Sequence, residues 1–510
     1  MQVEVPELHI EGNPPVTEYQ VELPTATLDD IRADFRRLRE TLKAKHSVEP
    51  TRMDYSSLRT ASPLIREAAW SVRVAVRGEE VIGVCVATGD ESPLGLAVDL
   101  GTTKIALYLL RLDTGETIDV AGIANPQGPY GEDVMSRLQT IMEDEDALDL
   151  LSSGVVKAIN EEASRMCRRN RVSSQRILEA VVVGNTAMHH IALKLPTRQL
   201  ALSPFVPATD RAVEVKAREL GLSISRGAYV YFPPPIAGFV GSDHVAMLLA
   251  SRLYAQDGNA LGIDIGTNTE IALKTPKGIT ACSTASGPAF EGARIKCGMK
   301  ASAGAIEHVT IHESDLQVEM ATIADEPPRG VCGSGVLDSI SEMLRVGIIN
   351  GKGRMQSGKQ GVRSNAAGRP EFVLAHADGD RCRDDIVITQ RDVAEIQLAK
   401  GAVRTGVNML LARAGLNDED IDVVVLAGAF GSYIDPASAV GLGMLPRLPL
   451  DRFQQIGNAA GAGAKAMLAS LEERRTAEQL AAEVQYMELA AEADFHRQFA
   501  RGMKFDDGHR

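Results

Sequence analysis

One short segment occurs twice in this 510-residue chain, and the repeat constrains the fold more than any other feature. The first copy, LGLAVDLGTTKIAL, begins at Leu94, and the second, ALGIDIGTNTEIAL, begins at Ala260. In each copy an apolar run ends in Asp-x-Gly-Thr or Asp-x-Gly-Thr-Asn and a second apolar run follows directly, which predicts two strands joined by a tight turn. A Walker loop or a Rossmann loop would lead from a strand into a helix and would have a different glycine spacing. The repeat therefore indicates a duplicated fold whose halves both begin with a β-hairpin.

Each hairpin is followed further along the chain by an apolar strand that ends in a glycine-bearing loop. ILEAVVVGNT ends in Gly184-Asn185-Thr186, and DIDVVVLAGAFGSY ends in the loop 428–431. Apolar strands alternate with helical patterns from Leu94 onward, which is typical of an α/β fold. We therefore predict a first lobe over residues 93–258, a second lobe over residues 259–470 and a helical tail over residues 471–510.

The first 92 residues differ from the rest of the chain in their pattern of apolar residues. In TATLDDIRADFRRLRETL, Leu28 and Ile31 precede further apolar residues at helical spacing, which predicts a helix capped by Thr25 or Thr27. WSVRVAVRGEEVIGVCVATG then alternates as a strand, a turn and a second strand. Residues 1–92 are therefore predicted to form a small N-terminal α+β domain.

Composition and charge exclude several classes of function. The net charge is −14 and no dense Lys/Arg stripe is present, so nucleic acid is not an expected partner. The first residues carry neither a basic nor an apolar signal region, and no run approaches the ~20 apolar residues of a membrane span. We therefore expect a cytoplasmic protein. The six cysteines lie far apart without a C-x-x-C pair, which favours small buried side chains over metal ligands.

The two hairpins carry groups that bind phosphate. In the first copy, Gly101 allows a turn with exposed backbone N–H groups, Thr102 and Thr103 add hydroxyls, and Lys104 adds a positive charge. Asp99 would repel a phosphate unless a hydrated Mg²⁺ lies between them. The corresponding residues of the second copy are Asp264, Gly266, Thr267 and Asn268. Two such loops facing one another would hold the polyphosphate of one nucleotide, whereas a single copy is equally well explained as a plain turn.

With these features the sequence resembles the actin, heat-shock chaperone and sugar-kinase ATPase superfamily. The resemblance implies duplicated actin-like (ribonuclease H-like) lobes, with Asp99 and Asp264 as the catalytic carboxylates that hold Mg²⁺ through water. It also implies that LAGAFGSY binds the adenosine of ATP, through the residues Gly428, Ala429, Phe430 and Gly431. A glycine loop needed only for packing is the alternative. Lys400, on the helix predicted after Thr389, could reach the base or ribose, although a lysine extending to the surface is the commoner case.

Several further stretches narrow the resemblance. They are NPQGPYGEDVMSRL from Asn125, VVVGNTAMHHIAL from Val181, IAGFVGSDHVA from Ile236, CSTASGPAFEGARI from Cys282 and GVCGSGVLD from Gly330. Together they resemble the reductive activators of corrinoid-dependent methyltransfer proteins. The resemblance implies an ATPase that returns an oxidised Co(II) corrinoid protein of a methyltransferase system to Co(I). Such a reduction is uphill, and for one electron about 59 mV corresponds to about 1.4 kcal/mol.

The chain departs from that family in its electron supply. Members usually carry an iron–sulfur centre, often in an N-terminal ferredoxin domain, whereas the first 92 residues here contain one cysteine, Cys85. We therefore predict no iron–sulfur cluster and expect electrons from an external ferredoxin or flavoprotein. A cluster shared across a homodimer through Cys282 or Cys332 is a less favoured alternative, because C-x-x-C spacing is missing.

Other interpretations of the function and of several residues stay open. A small-molecule kinase on this fold would transfer phosphate to a metabolite without a partner protein, and an ATP-dependent chaperone or assembly factor would carry out no redox step. Asp133, Asp243 and Glu291 are candidates to orient the hydrolytic water or to contact the partner, or are helix caps and surface carboxylates. His189 and His190 suggest a metal or axial ligand, but in a helix one would face the core and the other solvent.

Overall fold

The computed structural model describes residues 12–87, 92–144, 146–377, 384–431 and 433–505. These residues group by contact into two compact units. The first unit comprises the described part of Val5–Ala250 together with Ala459–Ala482, and the second comprises Ser251–Asn458 with the described part of Glu483–Arg510. The first unit thus includes a segment that follows the second hairpin by nearly two hundred residues. The division into four domains at residues 92, 258 and 470 stays a prediction.

The strands and helices are numbered in chain order. The strands are Val16–Glu22 (β1), Arg52–Met53 (β2), Ser71–Arg77 (β3), Glu80–Val86 (β4), Leu94–Leu100 (β5), Lys104–Arg111 (β6), Thr117–Ala124 (β7), Ile177–Gly184 (β8), Val213–Lys216 (β9), Tyr229–Phe232 (β10), Ala260–Ile265 (β11), Thr269–Thr275 (β12), Gly278–Thr284 (β13), Ala305–Ile311 (β14), Val318–Thr322 (β15), Gly330–Val331 (β16), Val362–Ser364 (β17), Pro370–Ala375 (β18), Ile386–Thr389 (β19), Val423–Ala427 (β20), Phe453–Gln455 (β21) and Gln485–Tyr486 (β22). The helices are Asp34–His46 (α1), Tyr55–Glu67 (α2), Val134–Glu143 (α3), Ala147–Arg169 (α4), Thr186–Ala192 (α5), Arg198–Ala201 (α6), Ser242–Ser251 (α7), Gly333–Arg345 (α8), Gln390–Ala414 (α9), Gly428–Gly431 (α10), Pro436–Gly441 (α11), Ala459–Ala469 (α12), Leu471–Glu483 (α13) and Phe495–Gly502 (α14).

The central sheets of the two units share a five-stranded arrangement, to which each sheet adds a sixth strand at a different edge. The first sheet has the strand order β7-β6-β5-β8-β10-β9, and the second has the order β21-β20-β11-β12-β13-β22. In the first sheet β5 pairs antiparallel with β6 and parallel with β8, and in the second β11 pairs antiparallel with β12 and parallel with β20. The parallel run continues to β10 in one sheet and to β21 in the other. The predicted duplication of an α/β fold, with a hairpin at the start of each half, is confirmed.

Small residues allow α12 to lie close to the first sheet. The helix packs on β5 and β8, and its sequence AAGAGAKAMLA contains mostly alanine and glycine. A Cβ atom at Gly95 would lie 2.8 Å from a methyl carbon of Leu468, and one at Gly463 would lie 2.2 Å from the carbonyl oxygen of Ala246. A larger side chain at either glycine would therefore separate the helix from its neighbours.

The small N-terminal part of the first unit forms a sheet of order β1-β3-β4-β2 with α1 and α2. The predicted helix start at Thr25 or Thr27 is wrong, because α1 begins at Asp34. Leu28 and Ile31 are 98% and 85% exposed and do not belong to its buried face. The preceding turn is held by the Asp30 carboxylate, which accepts hydrogen bonds from two arginines and so competes with helix formation.

The second unit is built around α9 and its sheet. Thr389 and Asp392 form the predicted capping box at the start of α9, with each side chain bonded to the other's backbone N–H. Near the C-terminus, α14 packs on α9, and Phe495 lies against the main apolar core of this unit. The predicted helical tail is thus two helices, of which α13 groups with the first unit. Across the described residues, no helix is both long and apolar enough to cross a membrane.

Candidate functional site

The first Asp-x-Gly-Thr turn is held in place through its carbonyl groups. A Cβ atom at Gly101 would lie 2.7 Å from the carbonyl oxygen of Lys104, so glycine is needed for the turn to close. Asn125 Nδ2 donates to the Gly101 carbonyl at 2.8 Å, and Arg137 Nη2 donates to the Thr102 carbonyl at 2.6 Å. Two side chains from one later segment therefore determine the shape of this loop.

Arg137 is a buried cation beside that loop. Its side chain is almost fully buried and also donates to Gln127 Oε1 and to the Gly131 carbonyl, both at 3.0 Å. Burial lowers the pKa of Arg137 to about 10, so the guanidinium stays protonated near neutral pH. Both residues belong to the segment NPQGPYGEDVMSRL, and neither Asn125 nor Arg137 was predicted to have a role. The signal in the sequence that could have indicated such a role was the presence of these polar residues within the motif.

A pair of carboxylates lies near the end of β5. Gly184 N–H donates to Ser242 Oγ at 3.2 Å, and a Cβ atom at Gly241 would lie 2.4 Å from the Gly184 carbonyl oxygen, so α7 begins directly against the loop after β8. Asp243 lies in the first turn of α7. Burial, together with the charge of Asp99, raises the pKa of Asp243 to about 7. A divalent cation beside these two oxygen donors would remove their mutual repulsion, so the donor set fits hydrated Mg²⁺.

The second turn has an acidic neighbour of its own. A Cβ atom at Gly266 would lie 2.9 Å from the Asn268 carbonyl oxygen, again requiring glycine. The Thr267 hydroxyl donates to Glu291 Oε1 at 2.5 Å, and the Thr267 carbonyl accepts from Gly287 N–H at 3.0 Å. Glu291, one of the three open carboxylate candidates, therefore lies at the predicted phosphate loop of this unit.

The predicted adenosine loop meets Asp264 within the second unit. Gly428 has φ of +87°, and a Cβ atom there would lie 2.3 Å from Asp264 Oδ1 and 2.6 Å from the Ile265 carbonyl oxygen. Its N–H donates to the Gly457 carbonyl at 3.2 Å. Residues Gly428–Gly431 form the single-turn helix α10, from which Phe430 packs on the apolar core. Two motifs separated by more than 160 residues in the sequence are thus in direct contact.

Lys400 has a different role from either of those expected. Its side chain is almost fully buried, so it does not extend to the surface. Nζ donates to the carbonyls of Leu442, Gly443 and Lys504 at 2.9, 3.3 and 2.6 Å. An ammonium has three protons, and three carbonyls accept them. Lys400 therefore joins the end of α11 to the C-terminal segment, in place of the predicted contact with the base or ribose.

Three further polar candidates are structural in character. Asp133 caps α3 in a capping box with Ser136. His189 and His190 are both buried, so the expectation that one faces solvent is wrong. Burial lowers the pKa of both rings, that of His189 to about 3 with a contribution from His190. His190 Nε2 accepts from Ala208 N–H at 2.8 Å, which leaves its Nδ1 to donate to the Thr186 carbonyl. Both rings are therefore neutral.

The described part of the chain contains no group of three or more His, Cys, Asp or Glu side chains arranged to hold a metal ion. Its cysteines, which form no disulfide, are Cys85, Cys167, Cys282, Cys297 and Cys332. Cys382 lies outside the described residues.

Two sheets that share a five-stranded arrangement, each with an Asp-x-Gly-Thr hairpin, are typical of an actin-like ATPase fold. Models of three consecutive regions of one family match the chain. They are the RACo linker region over residues 6–90, the RACo middle region over residues 94–256 and the C-terminal domain of RACo, the ASKHA domain, over residues 258–509. The chain belongs to the RACo family.

Individual relatives agree with this assignment. The solved structure of a reductive activator for corrinoid,iron-sulfur protein is 34% identical and has a TM-score of 0.88, covering 98% of this chain and 80% of that one. The corrinoid activation enzyme RamQ of Eubacterium limosum is 32% identical over 466 residues, which are 89% of this chain and 78% of the relative. The [Co(II) methylated amine-specific corrinoid protein] reductase of Methanosarcina barkeri is 27% identical over 383 residues, which are 69% of this chain and 66% of the relative.

Proposed function

We propose that this chain is an ATP-dependent reductive activator, which returns a Co(II) corrinoid protein of a methyltransferase system to Co(I). The observation that carries the proposal is the similarity to the solved reductive activator, which extends over 98% of the chain at 34% identity. The two named relatives support the same activity, since one is a corrinoid activation enzyme and the other a Co(II) corrinoid protein reductase.

ATP is the proposed source of free energy for this uphill reduction. Both hairpins contribute to its binding, with Thr102, Thr103 and Lys104 in the first and Thr267 and Asn268 in the second contacting phosphate. The glycines Gly101 and Gly266 support this role, because each allows a turn that a side chain would obstruct. The loop Gly428–Gly431 is proposed to bind adenosine.

Asp99 and Asp264 are proposed to hold hydrated Mg²⁺ through water. When bound, Mg²⁺ would neutralise phosphate charge and orient the terminal phosphoryl group. Asp243 and Glu291 are then the candidates to orient the hydrolytic water, since each lies beside one of the two loops.

The electron is proposed to come from outside the chain. A separate ferredoxin or flavoprotein would supply it, and the chain would contribute the ATP-driven remodelling of the cobalt's surroundings. Binding of the corrinoid protein in one conformational state and its release in another would link hydrolysis to the reduction. A homodimer and a cytoplasmic location complete the proposal.

An optical experiment tests the proposal directly. The protein, Mg-ATP, a low-potential reductant and a candidate corrinoid protein are mixed under anaerobic conditions, and the Co(II) absorption is followed as it gives way to Co(I). We expect reduction only with ATP, and slow ATP hydrolysis that the Co(II) corrinoid protein stimulates. Reduction at the same rate without ATP would contradict the activator assignment. Phosphate transfer to a metabolite in the absence of partner protein would instead identify a kinase.

Variants test the residues that the proposal assigns. Asp99→Ala and Asp264→Ala are both expected to abolish ATP turnover, whereas Asp315→Ala, which removes an exposed carboxylate from the turn between β14 and β15, is expected to leave it unchanged. Undiminished ATP hydrolysis by folded Asp264→Ala protein would show that the second hairpin takes no part in ATP turnover. Iron analysis of anaerobically purified protein tests the cluster, and stoichiometric iron would contradict the external electron source.

A further inference from the structure

A cavity lies within the first unit, where the small N-terminal sheet and α2 meet the start of β8 and the loop 225–227. Its volume is about 450 Å³, within the range of ligand-binding pockets. A second cavity of about 500 Å³ adjoins it and shares four of its lining residues, Ser56, Arg59, Gln175 and Arg226. Neither cavity is lined by a residue of the two hairpins, so the proposed ATP site does not account for them.

The charge of these cavities is strongly positive, in contrast to the net charge of −14 for the chain. Four arginines line them, namely Arg59, Arg176, Arg218 and Arg226. Of the described residues that line them, only Glu18 carries a carboxylate. Glu18 already neutralises Arg176 through two bonds of 2.7 and 2.8 Å. The cavities therefore retain an excess of positive charge that no lining carboxylate compensates.

Arg59 and Arg226 account for most of that excess. Arg218 is paired with the buried carboxylate of Asp54 at 2.9 Å. In contrast, neither Arg59 nor Arg226 forms an ion pair with any residue that the structure describes. Each of these two arginines lines both cavities. Arg59 belongs to α2, and Arg226 lies in the loop before β10. Two guanidinium groups from different elements, neither ion-paired within the described residues, can donate charged hydrogen bonds to the oxygen atoms of an anion.

The remaining lining indicates what the anion is attached to. The lining of the first cavity includes the apolar residues Ala75, Ile82, Val84 and Leu178 and the polar residues Ser57 and Thr60. A cavity lined by apolar, polar and cationic residues suits a small organic molecule that carries an anionic group.

We propose that this cavity pair, which we call the arginine cleft, binds a small organic anion with a phosphate or carboxylate group between Arg59 and Arg226. The shared chemistry is an oxyanion that accepts charged hydrogen bonds from both guanidinium groups, with its organic body against the apolar lining residues. The site is separate from the ATP-binding groups and does not depend on the proposed function.

Calorimetric titration of the full chain tests the arginine cleft. Saturating Mg²⁺ and a non-hydrolysable ATP analogue are included, so that phosphate sites for the nucleotide are occupied. The probes are phenyl phosphate, benzoate and benzyl alcohol, which share an aromatic body and differ in the anionic group. We expect one binding site for phenyl phosphate or benzoate, with benzyl alcohol binding at least tenfold more weakly. The tighter of the two anions identifies the phosphate or the carboxylate as the natural group.

Paired variants distinguish a specific site from general electrostatic attraction. Arg59→Ala/Arg226→Ala should weaken binding of the anion at least tenfold, and Arg168→Ala/Arg211→Ala, which removes two exposed arginines outside the cleft, should change it less than twofold. If the first double variant melts early, Arg59→Gln/Arg226→Gln, which keeps a polar side chain and removes the charge, takes its place. The proposal is overturned if no anion binds, if the cleft variants bind as the parent protein does, or if both pairs lose affinity equally.

Discussion

Gly428→Ala is the substitution whose consequence follows most directly from the structure. Gly428 adopts φ of +87°, where an L-residue is strained by about 1–2 kcal/mol. The new Cβ atom would also lie 2.3 Å from Asp264 Oδ1 and 2.6 Å from a backbone oxygen. Because such close approaches do not persist, either the loop or the Asp264 carboxylate must move by about 1 Å.

A matched control separates the strain from the displacement. Gly358 has φ of +86° and lies in the same unit, but a Cβ atom there would have nothing within 4 Å. Gly358→Ala should therefore show the backbone strain alone, a loss of about 1–2 kcal/mol in the free energy of unfolding. Gly428→Ala should lose about 1–3 kcal/mol more from overpacking.

The two variants should differ more in ATP turnover than in their free energy of unfolding. A displacement of about 1 Å at a catalytic group typically costs about 100-fold in rate. We expect ATP turnover of Gly428→Ala to fall by about that factor relative to Gly358→Ala, with urea unfolding used to confirm that both are folded. Equal turnover in the two variants would refute the reasoning, since it would show that contact with Asp264 does not position a catalytic carboxylate.

Three further predictions concern buried charges. Lys400→Met leaves three carbonyls without their donor and should lower the free energy of unfolding by about 3 kcal/mol in urea titrations; an unchanged midpoint would show that the C-terminal segment is held without the ammonium. Arg137→Met removes a charged donor from the first loop and should weaken ATP binding about tenfold in a direct titration, unless the loop keeps its shape without it. Although burial opposes it, hydrogen bonds from Ser56 and Arg218 lower the pKa of Asp54 to about 2, below the value of about 3.9 in an unfolded chain. The resulting stability is present above about pH 4 and lost as the pH falls to about 2, so the deficit of Asp54→Asn, about 2 kcal/mol at pH 7, should vanish in acid; a deficit independent of pH would contradict this account.

The predicted fold rested on local patterns, and those patterns identified most of it. Alternation of apolar residues and the Asp-x-Gly-Thr turns correctly indicated the hairpins β5–β6 and β11–β12 and hence the duplication. The helix start near Thr27 was wrong because periodicity counted Leu28 and Ile31 as core residues. A turn stabilised by Asp30 and two arginines overrode that pattern, and these contacts are visible only when the side chains are placed.

For the candidate site too, the sequence predicted one part and only the structure showed the other. The sequence alone determined which loops carry the residue types predicted to bind phosphate, since those residues lie within a few positions of one another. Only the tertiary structure decided that Arg137 supports the first loop, that Asp243 lies beside Asp99, and that Gly428 contacts Asp264. The physical reason is that short-range patterns reflect backbone conformation, whereas burial, charge pairing and steric contact depend on residues brought together from distant parts of the chain.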